Sequence, residues 1–506
     1  MSNLQKVILI VAKEDTFSLS KKVYDQIKKD KKGFKPFILL ISPLEEIIYK
    51  KKITTIFKSS EIIYCWEGMK KILIKGNTKN LLKEKYPQLY RKVAKQICSH
   101  PTQLYDLNFR LQYKKFNGDD LLEVMSALTL HLLNVLSLYK KVTIIDFSIY
   151  DISRTILLDV CKEKKIIYKT LVHSRFENYW LLSKNLGQDV AKSLSKKTLL
   201  KDDIKIAKEK INKYCSQKVI LPFQERSSII QKYSIKKSIR IIACMFFRIM
   251  IYIKRFFFEF KEIRLNKNLQ RLTKQLTGDT LITLKNSLIC NFRFLKRIWQ
   301  PTEIKYKKPE KYIYFPLPNT VENSELRFNG GILSEKIIID LIRKDLYEYK
   351  LLIKDHRSMI MDRKTSEIKR FRNIYHLNYI SEWLNSKNIT NPKNLINSSA
   401  LTIVISGTAG LEAAILNKPV LILGTPVYAE YFILKGNDKK NLKDLEIKLN
   451  NNKINFEDFK VNKNITHSYI AAIIKYGFRC DLYDLIKNPN AFNKKNIIKN
   501  LIDFMI

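Results

Sequence analysis

The segment Ser406-Gly407-Thr408-Ala409-Gly410 is the stretch of this chain whose residue types most suggest chemistry. An apolar run, Leu401–Ile405, enters it, and residues of helical character, Leu411–Leu416, leave it. A strand that turns through small residues into a helix presents backbone N–H groups at the helix start, where the aligned peptide dipoles favour a phosphate. Small side chains also let a nucleotide approach the main chain closely. Glu412 falls in the first helical turn beyond this cradle, where a carboxylate can accept both hydroxyls of a ribose. A plainer reading stays open, in which Gly410 permits close packing and Glu412 complements the helix dipole. The chain has only 13 glycines in 506 residues, so a pair of them in one turn favours the phosphate-binding reading.

A second group is Lys354-Asp355-His356-Arg357 with Arg363 a little further on. The apolar run Tyr349–Ile353 precedes it, so His356 is expected at the carboxyl edge of a strand, where open α/β sheets bind ligands. His356 could hydrogen-bond a phosphate or carboxylate. Lys354, Arg357 and Arg363 can neutralise the phosphate of a departing nucleotide. Glu322 follows another strand, Tyr312–Phe315, and is a candidate for donor binding or acid/base work, or simply a solvated loop acid. Nearer the N-terminus, Asp15 follows the first apolar run, and Arg175 with Glu177 follows a later one. Loop positions of that kind could supply the base that activates an acceptor hydroxyl. His100, His131, His376 and His467 have no metal-ligand spacing and read as structural. No pair of acids at a strand end marks a diphosphate–metal site, so neither a metal nor a cofactor is expected.

The elements that must hold these residues alternate between strand and helix. Val7–Val11, Phe37–Ile41, Glu61–Cys65, Val142–Ile145 and Ile166–Val172 read as buried strands, with helices from about Ser18, between Tyr86 and Tyr139, and at Asp151–Glu163. The pattern resumes with Tyr312–Phe315, a helix at Glu335–Asp345, Tyr349–Ile353, Leu401–Ile405 and Pro419–Leu423, and closes on a helix at Lys495–Ile506. Between the two blocks, Ile241–Ile253 is almost wholly apolar, broken by Arg248 and flanked by Lys236, Lys237, Arg240, Lys254 and Arg255. Such a helix suits the interfacial plane of an anionic bilayer, or else a buried interdomain position with snorkelling cations. The expected division is residues 1–235 as an N-terminal Rossmann-like acceptor domain, 236–300 as a basic helical segment, 301–485 as a C-terminal donor domain and 486–506 as a terminal helix.

The C-terminal block carries a family resemblance. Ser406-Gly-Thr-Ala-Gly-Leu-Glu-Ala413, then Asn417-Lys418-Pro419-Val420 and Leu423-Gly424 with Tyr428, resembles the donor-domain signature of bacterial capsule and surface-polysaccharide biosynthesis proteins. Tyr314-Phe315-Pro316-Leu317 with Glu322 and Ser324, and Leu352-Ile353-Lys354-Asp355-His356 with Met359 and Arg363, resemble two further blocks of that family. The match runs over about residues 312–480. Three positions depart from it: Pro318 where His is usual, Val321 where Pro is usual, and Arg357 in place of the Pro of a His-Pro motif. These put donor identity and activity in question but not the fold. The resemblance implies a GT-B-like α/β fold, two Rossmann-like domains facing across a cleft, similar to the Kdo transferases of capsule assembly. It implies transfer of a sugar, with a CMP-linked acidic sugar as the leading donor, to a glycan or glycolipid acceptor. A nucleotide-sugar 2-epimerase of the same architecture, and a non-catalytic assembly or export factor, are the alternatives.

The chain is strongly basic, with 93 Lys and Arg against 48 Asp and Glu and a formal charge of +45. Only 19 of the basic residues are Arg, and Lys, Ile and Asn recur throughout, so much of the charge is compositional drift on solvated surface. No helix-turn-helix, zinc finger or RNP-like aromatic motif is visible, so nucleic acid is not an expected partner. Seven scattered cysteines without a CxxC pair indicate neither a disulfide framework nor a zinc site and suit a reducing cytosol. The N-terminal apolar run is too short for a signal h-region, and no stretch is expected to reach a membrane span. The expected location is the cytoplasm, peripheral at the inner face of the membrane.

Overall fold

Lys6–Val11, Phe34–Leu40, Ile62–Tyr64, Val142–Asp146, Ile167–His173 and Tyr179–Ser183 form strands β1 to β6, and from Val7 onward β1 is wholly buried. Uninterrupted apolar runs of this kind belong to parallel sheets covered on both faces. In this computed structural model the described residues are 6–13, 16–30, 33–41, 46, 52–99, 118–147, 152–216, 239, 242–243, 246, 249–254, 256–257, 269, 280–299, 312–318, 335–345, 349–356, 359, 363, 365–371, 378–380, 392–436, 455–487 and 495–506. The second block supplies β7 (Tyr312–Pro316), β8 (Lys350–Lys354), β9 (Asn378–Ile380), β10 (Leu401–Val404), β11 (Val420–Ile422) and β12 (Phe478–Arg479).

The first sheet has the order β12-β6-β5-β4-β1-β2-β3 and the second β11-β10-β7-β8-β9. Strands β1 to β5 are mutually parallel, as are β7 to β11, whereas β6 runs antiparallel to β5 and β12 antiparallel to β6. Counted from its own first strand, each sheet therefore runs 3-2-1-4-5, the doubly wound order. The fold is α/β and GT-B-like, as expected. Alternate residues of one strand serve opposite layers. Val7, Leu9 and Val11 pack under the helices Cys65–Lys75, Pro87–Ser99, Gly118–Ser137 and Ile152–Glu163, while Ile8 and Ile10 pack with Phe17–Asp30 and the C-terminal helix Lys495–Met505. In the second sheet Tyr312 and Tyr314 face one core, and Ile313 and Phe315 the other.

The domain limits differ from those expected. β12 pairs with β6 in the register Phe478↔Trp180, and Trp180 Nε1 donates to the Cys480 carbonyl at 3.1 Å. Leu482, Leu485, Ile498, Leu501 and Met505 join the core of the first sheet. Residues 478–487 and 495–506 thus belong with the N-terminal domain, whose sheet and core take up their apolar side chains. Conversely, Ala207, Ile211 and Tyr214 of the Lys201–Ser216 helix share one core with Tyr312, Val404, Leu411 and Tyr469 of the second domain. That core also takes in Val172, Phe176 and Leu181, so the interface between the domains is continuous packed apolar surface.

Gly118–Ser137 is long and apolar enough to cross a membrane, with mean hydropathy 1.3, where the sequence reading expects no such stretch. It is a core helix: Leu121, Val124, Met125, Leu128, Leu132 and Leu133 are buried against the first sheet's helical layer.

Candidate functional site

In an open doubly wound sheet, ligands bind beyond the carboxyl ends of the strands where the order reverses. In the second sheet that point lies between β7 and β10, which pair through Leu401↔Ile313 and Thr402↔Tyr314. β10 leads through Ile405 and the buried Ser406 to Gly407, and Thr408–Ile415 is helical directly afterwards. Gly407 is the residue before the helix, in extended conformation with φ −71° and ψ 168°, so any residue could adopt its backbone. A β-carbon built on it would meet nothing within 4 Å. The space beside Gly407, the residue before the first helical turn, is therefore open to an incoming group.

Gly410 is different. A β-carbon there would lie 2.4 Å from Tyr428 Oη and 2.8 Å from Val404 Cγ2. Tyr428 is fully buried and donates its hydroxyl to the Gly407 carbonyl at 2.6 Å. Gly410 is thus the packing glycine that lets Tyr428 reach across the helix and brace the turn. Glu412 also faces inward: it is 2% exposed, and Tyr214 of the Lys201–Ser216 helix bonds to its carboxylate. Burial, and then that carboxylate, push the Tyr214 hydroxyl well above its usual pKa. The same helix is held at its C-terminus by Lys393, whose Nζ donates to the Tyr214 and Cys215 carbonyls at 2.7 Å each. Glu412 therefore fixes the helix against its neighbour in this structure, and the half-buried Gly407 and Thr408 form the exposed part of the turn.

β8 ends one strand further along the same edge. Lys354 and Asp355 are buried there and His356 is half-buried. Arg363 is 4% exposed and wholly committed to carboxylates. It makes two hydrogen bonds to Asp355, both 3.0 Å, and two to Glu335, at 2.7 and 3.0 Å. Burial alone pulls a guanidinium pKa down, but Glu335 and Asp355 overcome this and hold Arg363 above its ordinary value. Burial raises the Glu335 carboxyl against the pull of Arg363. Asp355 Oδ1 also accepts the His356 N–H at 2.9 Å, and Arg297 donates to the Arg363 carbonyl at 2.6 Å. Arg363, expected from the sequence to face phosphate, instead shapes the loop that carries His356. Its partners stand 8 and 28 residues away, a relation no local motif displays.

The first domain reaches this region through the β5–β6 turn. Ser174 Oγ bonds to both the amide and the carbonyl of Phe176, and Arg175 and Glu177 adopt left-handed backbone with φ 67° and 43°. His173 organises the turn: its Nδ1 accepts the Arg175 N–H at 3.1 Å and its Nε2 donates to the Glu177 carbonyl at 3.0 Å. Enclosure, followed by the charge of Arg175, depresses its pKa to about 3, so the ring is neutral with its proton on Nε2. Glu177 pairs with Lys210 and Arg479, each at 3.3 Å. Tyr469, from the second domain, donates to the Ser174 carbonyl at 2.9 Å. Burial raises the Tyr469 hydroxyl above its ordinary pKa. Tyr469 and Tyr428 both pack on Phe432, with ring centroids 5.8 Å apart in each pair, so the turn that carries Arg175 and the Gly407 turn are tied to one aromatic cluster.

The corresponding reversal in the first sheet lies between β1 and β4. Asp146 ends β4 there, buried, accepting from Tyr168 Oη at 2.9 Å and lying 3.8 Å from Arg154 Nε. The sequence candidates Asp15, Glu322 and Arg357, and Val321 among the departures, fall outside the described residues, as do His100 and His376. Pro318 is buried just beyond β7. His131 packs against Gly68 in the helical layer, and burial lowers its pKa. An open depression lined by Asn417, Lys435, Lys460 and Lys463 lies at the opposite end of the Thr408–Ile415 helix, about 12 Å from Gly407.

Fold and site together define a two-domain protein of GT-B type with its small-residue turn at the second sheet's reversal. No protein-family model matches the chain, and no protein of curated function does. Among solved structures, it is similar to the β-Kdo 2,4 transferase KpsC of Thermosulfurimonas dismutans, with 12% identity and TM-score 0.34 over 71% of this chain and 86% of that one. It is similar to the UDP-GlcNAc 2-epimerase of Neisseria meningitidis bound to UDP-GlcNAc, with 12% identity and TM-score 0.24 over 93% and 98%. A UDP-glucosyltransferase of Polygonum tinctorium matches with 9% identity and TM-score 0.21 over 100% and 99%. At such scores it is the strand order of the two sheets that carries the fold.

Proposed function

We propose that this protein is a metal-independent glycosyltransferase that moves a sugar from a nucleotide-activated donor to a surface-polysaccharide acceptor. The observation that carries the reading is the open, extended Gly407 leading into a helix at the point where the second sheet reverses its order, with the turn that carries Arg175 in the opposite domain tied to the second domain through Tyr469. The amides at the start of the helix bind the donor's phosphate. Lys354 and His356 close the adjoining strand and offset charge on the departing nucleotide, and Arg175 approaches from the acceptor side. The acceptor hydroxyl attacks the anomeric carbon, the bond to phosphate breaks, and the acceptor's proton passes to a carboxylate base, for which Asp15 is the candidate. The motif resemblance at Ser406–Ala413 supports a CMP-linked acidic sugar as donor.

The test is a thermal-shift screen of CMP, UDP, GDP and their sugar conjugates. One nucleotide class should raise the melting temperature of the wild type and fail to raise that of Gly407→Val. Failure of all of them on the wild type would overturn the transferase reading. Product formed from the donor only when a glycan acceptor is present separates transfer from epimerisation.

A further inference from the structure

Seven large apolar side chains between residues 239 and 257 stand in solvent: Ile239 (61% exposed), Ile242 (40%), Phe246 (65%), Met250 (54%), Ile253 (40%), Phe256 (44%) and Phe257 (66%). Each is in helical conformation. Positions 239, 242, 246, 250, 253 and 257 recur at intervals of three and four, which places them along one side of a helix. Soluble proteins rarely leave so long a continuous apolar strip uncovered.

The surrounding charge says what covers it. Residues 236–264 contain eight Lys or Arg against two Glu, and Lys254 is exposed beside the strip. Two copies meeting along this strip would bring two strongly positive segments together, so a second copy is disfavoured. Nucleic acid would satisfy the charge but would leave the phenylalanines and isoleucines in water. An anionic bilayer satisfies both, because its headgroups meet the cations while its acyl boundary takes the apolar strip. The Thr280–Trp299 helix repeats the arrangement on a smaller scale. Leu281, Lys285, Ile289, Phe292 and Lys296 are exposed on one side, while Asn291, Phe294 and Arg297 are buried on the other.

We infer that Ile239, Ile242, Phe246, Met250, Ile253 and Phe257 form a docking surface for an anionic lipid bilayer, seated parallel to the membrane plane with Phe246 and Phe257 as its principal anchors. This goes beyond the transferase reading and does not depend on it.

The full-length protein is sedimented with vesicles of phosphatidylcholine alone and of an equimolar mixture with phosphatidylglycerol, at low and high salt. The wild type should pellet with the anionic vesicles, and less so at high salt as the headgroup charge is screened. In the Phe246→Asp/Phe257→Asp variant, the affinity for these vesicles should fall at least about tenfold. Both positions are exposed, so the variant's melting temperature and its thermal response to nucleotide should match the wild type. Phe246→Ala/Phe257→Ala should bind at an intermediate level. Equal pelleting of the wild type and the Asp variant would overturn the proposal. So would equal pelleting with both vesicle types, or a self-association in sizing experiments that the Asp variant abolishes. A loss of vesicle binding leaves the nucleotide response intact, so the two readings fail separately.

Discussion

Tyr469 and Ser174 lie 295 residues apart, yet the hydroxyl of the first donates to the carbonyl of the second at 2.9 Å. The bond is buried and joins the helix Lys463–Tyr476 of the second domain to the strained turn that carries Arg175. Tyr469→Phe keeps the ring and its packing on Tyr431 and Phe432 but strands a buried carbonyl. A loss of about 1–3 kcal/mol is expected in denaturant unfolding. If Arg175 serves the acceptor side, sugar transfer should slow as well, because the turn loses its tie to the second domain.

The two glycines of the Ser406–Gly410 turn should respond in opposite ways to a side chain. Gly410→Ala pushes a methyl into Tyr428 and Val404, neither of which has room to withdraw, and should cost about 1–3 kcal/mol of stability. Gly407→Val places its methyls in open space and should stay within about 0.5 kcal/mol of the wild type. It should nonetheless abolish stabilisation by nucleotide, since the side chain covers the amides. Urea melts with and without nucleotide separate the two effects.

Arg363 serves four carboxylate oxygens from within the protein. Arg363→Met would remove the guanidinium that bridges the buried Asp355 and Glu335, and about 3–5 kcal/mol should be lost. Arg363→Lys should recover only part of this, because a point charge cannot match a bidentate fork on each side. Full recovery by lysine, measured in the same urea melts, would show that geometry plays no part.

Glu46 provides a pH-dependent prediction. It is buried beneath the start of the Cys65–Lys75 helix, where its carboxylate accepts the Trp66 N–H at 2.6 Å. Burial outweighs that bond and lifts its pKa to about 8. The folded state therefore holds this proton more tightly than the unfolded chain, and its contribution is complete below about pH 4.5 and fades as the pH climbs toward 8. Glu46→Gln mimics the protonated form. Its melting temperature should sit near the wild type's in acid and rise above it progressively up to about pH 8. A constant offset across that range would contradict the assignment.

Parallel strands buried on both faces leave a plain trace in sequence, and for that reason Val7–Val11, Val142–Ile145 and Leu401–Val404 were legible as strands and the doubly wound class with them. β12 could not be read, since a two-residue strand exists only through its partner β6. The small-residue turn was legible as a helix start, but the division of labour between Gly407 and Gly410 was not. That division depends on Tyr428, which comes back over the helix from 18 residues further on. The same limit applied to Glu412 and Arg363. Their residue types promised ligand chemistry, and only the tertiary fold showed Tyr214, Asp355 and Glu335 already in place. The Arg175 turn was legible as a loop; what orients it, the neutral His173 and the hydroxyl of Tyr469, was not.

The antiparallel pairing of β12 with β6 has a consequence for how the chain is made. Residues 179–183 leave the ribosome nearly 300 residues before their partner at 478–479. Until then the first sheet has an open edge at β6, and the face that later receives Leu482, Leu501 and Met505 is bare. The N-terminal domain therefore cannot mature first and wait for the second. It must pass through translation unfinished until the residues that follow the second domain have been made.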